Sequence, residues 1–183
     1  MNHPEDPPAS DDEREARRQY IAIRAAVVDG ARLTILHIGE SQTVLAMGTN
    51  REPAVVLTLD IGSAKTAADH FRQDPPAPIE MENAIMVVED EVTRAREVVA
   101  GSALHTMDGA IRQIALLAGV AESPEMALSL EAVEQTFDRF SGVVLGRPAA
   151  SEGLPAGGAF AATLLILREL MHHLKFAAIT VRT

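Results

Sequence analysis

The 183-residue chain contains no cysteine and no tryptophan, one tyrosine and five phenylalanines. The missing thiols exclude disulfide staples and thiolate metal sites. With aromatics at 3%, a core has to be assembled from Ala, Val, Leu, Ile and Met. Basic residues are also in short supply, 16 against 26 acidic ones, giving a net charge of −10. A surface of that sign repels polyanions, which argues against nucleic acid as a partner. No uninterrupted apolar run approaches the roughly 18–20 residues of a membrane helix. The first ten residues lack an apolar signal-peptide region. A cytoplasmic protein with no membrane partner is the expectation.

What is present is ordinary for a folded domain: 47% hydrophobic and 23% charged residues, in a chain long enough for one well-packed unit. Residues 1–9 (MNHPEDPPA) read as a disordered tail and residues 10–183 as a single domain. Ser10-Asp11-Asp12 signals a helix start, and Tyr20, Ile23, Ala26 and Val27 continue it to Asp29-Gly30. Strand-like runs follow over Arg32–Ile38, Thr43–Met47 and Ala54–Ile61. Then come a helix over Ala64–Arg72, a breaker at Asp74-Pro75-Pro76, and a long helix from Ile79 to Val99. A strand over Ser102–Thr106 leads to a helix over Ala110–Ala118 that Asp108 is placed to cap. Ser129 opens another helix, residues 146–158 read as loop, Ala159–Leu174 is an apolar helix, and Ala177–Arg182 is a final strand. Three hairpin-linked strands followed by strands returning through helices predict a mixed α/β sheet flanked by helices, the order of a ribonuclease-H-like (actin-like ATPase) domain.

Several stretches carry a family resemblance. "SDDEREAR" (10–17) is similar to I-S-G-x-E-E-A-R, and "HIGESQTVL" (37–45) stands where D-I-G-G-G-S-T-E-L is expected. "LDIGSAKTAADHFRQDPP" (59–76) is similar to a segment with G-x-V-R-L-T-E-R-F and a D-P-P turn. "MDGAIRQIA" (107–115) falls where a G-G-T or G-T-I-K turn opens a helix. "AGGAFAATLLILRELMHHLKFAAITV" (156–181) is similar to the helix and strand before G-L-R-E-G. In this order and spacing the chain resembles the second half of the catalytic region of the Ppx/GppA family of exopolyphosphatases and guanosine-pentaphosphatases. The resemblance implies an actin-like fold and a phosphate site shared with a first domain, whose D-x-G-S loop this chain lacks. It makes Glu15 the counterpart of the catalytic base. Gly39, Ser41 and Thr43, with Gly109, become remnants of two phosphate loops.

The hairpin departs from the pattern. His37 replaces the aspartate, Glu40 and Ser41 replace glycines, Gln42 replaces serine, and Val44 replaces glutamate. Phosphate loops use glycine for close backbone approach and keep side-chain anions away. Glu40 at about 4 Å from a phosphate oxygen would cost about 1–4 kcal/mol in a wet cleft. Loss of the aspartate removes the usual Mg²⁺ anchor. No cofactor is required, although a divalent cation such as Zn²⁺ could be held by His37, His105 and Asp108 if those strand ends converge. Polar strand termini with no common ligand are the simpler reading. Glu15 likewise reads as a first-turn glutamate favoured by the helix dipole, and Arg17 and Arg18 as surface residues. His172 and His173, adjacent on one helix, cannot face one ligand.

Three functions follow as expectations. The first is an inactive binding or assembly module, forming a homodimer through the apolar helix Ala159–Leu174. The second is a phosphohydrolase completed by a partner supplying the first domain. The third is a metal- or small-ligand-binding regulator.

Overall fold

The computed structural model describes residues 9–28 and 30–183. The expected tail, apart from Ala9, and Asp29 lie outside the described residues. Helix α1 (Asp11–Arg24) starts where the Ser10 hydroxyl accepts from the Glu13 amide, with Asp11, Asp12 and Glu13 in its first turn. It leads into an antiparallel meander, β1 (Leu33–Ile38), β2 (Thr43–Gly48) and β3 (Val55–Leu59). Helices α2 (Ser63–His70), α3 (Pro78–Thr93) and α4 (Arg96–Val99) carry the chain to β4 (Ala103–Thr106), parallel to β1. After α5 (Gly109–Leu117) come β5 (Glu125–Ser129), α6 (Leu130–Val144), α7 (Ala149–Glu152), α8 (Gly158–His173) and β6 (Ala178–Arg182). The six strands form one sheet in the order β3-β2-β1-β4-β6-β5. The mixed sheet flanked by helices is the architecture that the element order predicts.

Three elements differ from expectation. β5 is an added edge strand, antiparallel to β6, with Met126 and Leu128 turned inward and Glu125, Ala127 and Ser129 exposed. Its Ala and Glu are poor strand formers, so it reads as the approach to α6. The helix expected over Ile79–Val99 breaks after Thr93. There the Thr93 hydroxyl bonds back to the Asp90 carbonyl, and Arg94 and Ala95 donate three residues back, to Glu91 and Val92. Back-bonding of this kind bends a helix. The stretch expected as loop over 146–158 contains the single turn α7.

Each face of the sheet carries its own packing. On one, Ala16, Tyr20 and Ile23 of α1 cover Leu33, Ile35, Val44 and Ala46. The other face holds the larger core, beneath α3, α5, α6 and α8. α8 packs against α2, α3, α5 and α6, and Ala161, Ala162, Leu164, Leu165, Ile166 and Leu167 have no exposed surface. This corrects the expectation that α8 offers a flat apolar surface to a symmetric partner. A helix apolar all round is one that is buried all round, and α8 is the central core element. Leu164→Ala should therefore cost about 2–5 kcal/mol of unfolding free energy, read by urea titration.

Candidate functional site

The site is assembled where the tips of β1 and β4 meet the first half of α1. Asp108 stands at the N-cap position of α5, yet its side chain makes no capping bond. It turns into the protein instead, 9% exposed. One carboxylate oxygen is 2.7 Å from His37 Nδ1 and 2.8 Å from the donating Gln19 Nε2. The other accepts from the Ile38 amide at 2.7 Å. Thr106 Oγ1 receives the Asp108 amide at 3.0 Å, and Gln19 Oε1 receives the Met107 amide at 2.9 Å. These groups form one continuous buried network joining α1, β1 and the β4–α5 junction.

Asp12, in the first turn of α1, closes the hairpin from the other side. Its carboxylate accepts from the Gln42 amide at 3.2 Å and lies 3.6 Å from His37 Nε2. It packs so closely on Gly39 that a Cβ there would fall 2.2 Å from Asp12 Oδ1. Glycine at position 39 thus admits a side chain of this protein. The Gly39 amide is itself bonded to the Gln42 carbonyl. The N-terminus of α2 is closed in the same manner. Its Ser63 amide donates to the Gly39 carbonyl, and Ala64 and Lys65 donate to the Glu40 carbonyl.

His37 is thus set between two carboxylates, one at each ring nitrogen. Burial opposes its charged form, but the Asp108 bond, with the charges of Asp108, Asp12 and Glu15, prevails and raises its pKa above 6.5. His105 goes the other way. Burial, reinforced by the charges of Arg182 and Arg24, lowers its pKa, and its Nδ1 is enclosed without a partner. Glu15 is held below the usual carboxylate range chiefly by its bond to Arg18. Arg18 Nε and Nη2 donate to its two oxygens at 2.9 and 2.7 Å, and Gln19 Nε2 adds a contact at 3.1 Å.

The structure brings together His37 and Asp108 but not His105, which pairs with Ile35 in the sheet and shares no partner with them. Among the described residues no group of three or more His, Asp or Glu side chains is arranged to hold a metal ion. Ser41 and Glu40 are exposed at the hairpin tip, Gly109 is exposed at the start of α5, and Thr43 is buried with its hydroxyl unpartnered. His172 and His173 face different acids, Glu134 in one case and Glu169 with Glu89 in the other, as their adjacency predicts. Sequence reasoning missed Asp12 and Gln19. The signal for Gln19 was its place in the buried spacing Ala16, Gln19, Tyr20, Ile23, where a polar residue needs a buried partner.

A family model for the Ppx/GppA phosphatase family matches residues 10–183. The chain belongs to that family. Solved structures of Ppx/GppA members agree in fold. A Ppx/GppA phosphatase of Aquifex aeolicus is 17% identical with a TM-score of 0.74, over 93% of this chain and 59% of that one. An exopolyphosphatase-like protein is 14% identical (TM-score 0.72; 93% and 62%). An exopolyphosphatase from Cytophaga hutchinsonii is 14% identical (TM-score 0.70; 94% and 60%). No curated protein matches the sequence. The chain spans about three-fifths of the length of the solved relatives it matches. The ribonuclease-H-like, actin-like architecture expected from the element order is the one that these matches show.

The His37 geometry sets a pH dependence. Its folded pKa exceeds the unfolded value, so the stabilisation is fully present below the unfolded pKa and is lost as pH rises through the folded one. The stability gap between wild type and His37→Gln should be wide near about pH 6 and nearly closed near about pH 9, measured by urea unfolding.

Proposed function

We propose that this Ppx/GppA domain is a catalytically silent binding or assembly module. The observation that carries the reading is the occupation of two of the hairpin's amides by the protein's own carboxylates. The Ile38 amide is given to Asp108 and the Gln42 amide to Asp12. A phosphate group at the hairpin would have to displace carboxylates of the same sign. Each retained acid would oppose it by about 1–4 kcal/mol at about 4 Å. The base position fares no better. Both oxygens of Glu15 are bonded to Arg18 and its pKa is lowered, whereas a useful general base is tuned upward toward the working pH. A cytoplasmic location fits the charge and composition, and no described helix is long and apolar enough to cross a membrane.

The alternative is a phosphoanhydride hydrolase whose first domain comes from another chain, with Glu15 as base. The two separate in one assay. Purified protein, incubated with polyphosphate or guanosine pentaphosphate, should release no more phosphate than its Glu15→Ala variant. A base contributes about 10²–10⁴-fold where it operates, so a Glu15-dependent difference of that size would establish the hydrolase instead.

Self-association belongs to the module reading, now through another surface. Ile79, Met86 and Val87, spaced i, i+7 and i+8 on α3, are 61%, 60% and 42% exposed. A two-fold dimer is the commonest way to cover such a stripe, with about 1,200–2,000 Å² buried in total. Sedimentation equilibrium at micromolar protein should give a dimer mass that Met86→Glu returns to monomer. A wild-type monomer would remove self-association from the reading.

A further inference from the structure

The end of α1 remote from the hairpin carries a second feature that the family site does not use. An open pocket of about 740 Å³ lies between the last turn of α1 and the turn after β2, lined by Ile21, Arg24, Ala25, Thr49, Asn50 and Arg51. That volume is in the range of small-molecule sites. Arg24 is 6% exposed and is surrounded by carbonyls. Nη1 donates to Ala31 at 2.6 Å and Thr49 at 3.5 Å, Nη2 to Val28 at 2.5 Å and Val27 at 3.3 Å. Its Nε is enclosed without a partner. Among the described residues, no carboxylate comes within ion-pair distance of Arg24 or Arg51.

A buried guanidinium is costly and uncommon, and Arg24 has no anionic partner among the described residues. Carbonyl dipoles and the negative end of α1 offset part of the charge. Arg24 also lines the pocket. Beside it stand the exposed guanidinium of Arg51, the Thr49 hydroxyl and the Asn50 carboxamide, all donors, while Ile21 and Ala25 supply an apolar wall. The Tyr20 hydroxyl donates to the Asn50 carbonyl at 2.9 Å and fixes the turn. Gly48 makes room for it, since a Cβ there would meet Tyr20 Oη at 2.7 Å.

We propose that this pocket is a binding site for a small phosphate or carboxylate oxyanion. The anion is held directly by Arg51 and the turn, with Arg24 as the fixed charge behind them. The inference rests on the module reading for its purpose and supplies the class of ligand the module would bind.

The test is ¹⁵N–¹H NMR of the full chain at physiological salt, titrated separately with pyrophosphate and with citrate. The Arg24 Nε–H and the amides of Thr49, Asn50 and Arg51 report on the pocket, and the amides of Gly39–Thr43 report on the hairpin. Saturable shifts in the first group, weakened about tenfold or more by Arg51→Ala, are expected, as loss of one charged hydrogen bond implies. Arg51 is exposed and bonds to nothing described, so its removal leaves the fold intact. The pyrophosphate and citrate arms tell which oxyanion is preferred. Shifts that do not saturate, or that Arg51→Ala leaves unchanged, would overturn the site. Saturable pyrophosphate shifts confined to the hairpin would overturn this site, while the module reading is decided separately by the Glu15→Ala assay.

Discussion

The carboxylate of Asp108 is the contact on which the rest of the site depends. Three donors from two other elements meet it: the His37 ring, the Ile38 amide and the Gln19 carboxamide. Removing it would leave buried donors without partners, at about 1–3 kcal/mol for each. Because Asp108 turns inward, α5 begins without a side-chain cap. Because Gln19 is held by Asp108, it is oriented to receive the Met107 amide, and α1 is thereby locked in register over the sheet. Apolar packing of Ala16, Tyr20 and Ile23 holds α1 against β1 and β2 but does not fix its rotation as directional bonds do. The polar network sets the rotation, and that places Asp12 on Gly39.

A histidine at position 37 suits this arrangement. An acid at position 37 would face Asp12 and Asp108 together, three carboxylates in a half-buried space. A histidine whose pKa is raised joins the two acids instead. Around the hairpin, the Ile38, Gly39 and Gln42 amides are all bonded within the protein.

Much of the fold was legible because hydrophobic period and capping carry it. Ser10 and Ser129 cap the helices that their positions predict, and the alternating runs around residues 33–59 pair as a meander. What was not legible lies in tertiary context. β5 exists because β6 offers an edge, not because Glu-Met-Ala-Leu-Ser prefers to be extended. The apolar run of α8 fits an exposed docking face or a central core helix equally well, and only the helices around it decide for the core. Near the hairpin, the place of Asp108 before α5 was legible from the sequence. The role of Asp108 was misread because a helix-start aspartate ordinarily bonds its own helix. Asp12 looked like one more first-turn acid, and its contact with Gly39 depends on how α1 is rotated.

The charges at the two ends of α1 reverse the polarity of a bare helix. A helix dipole makes the N-terminus attractive to anions and the C-terminus repulsive. Here Asp11, Asp12 and Glu13 occupy the first turn, with Glu15 and Asp108 beside them, while Arg24 occupies the last turn. Half a unit of dipole charge at each end is outweighed by whole charges on side chains. The end that faces the hairpin carries a cluster of acids, and the end remote from it carries a buried cation. Arg14 and Arg18 pair with Asp11 and Glu15 and moderate the acidic end. The oxyanion site proposed at Arg24 and Arg51 lies at the opposite end of the same helix, away from the hairpin and Glu15.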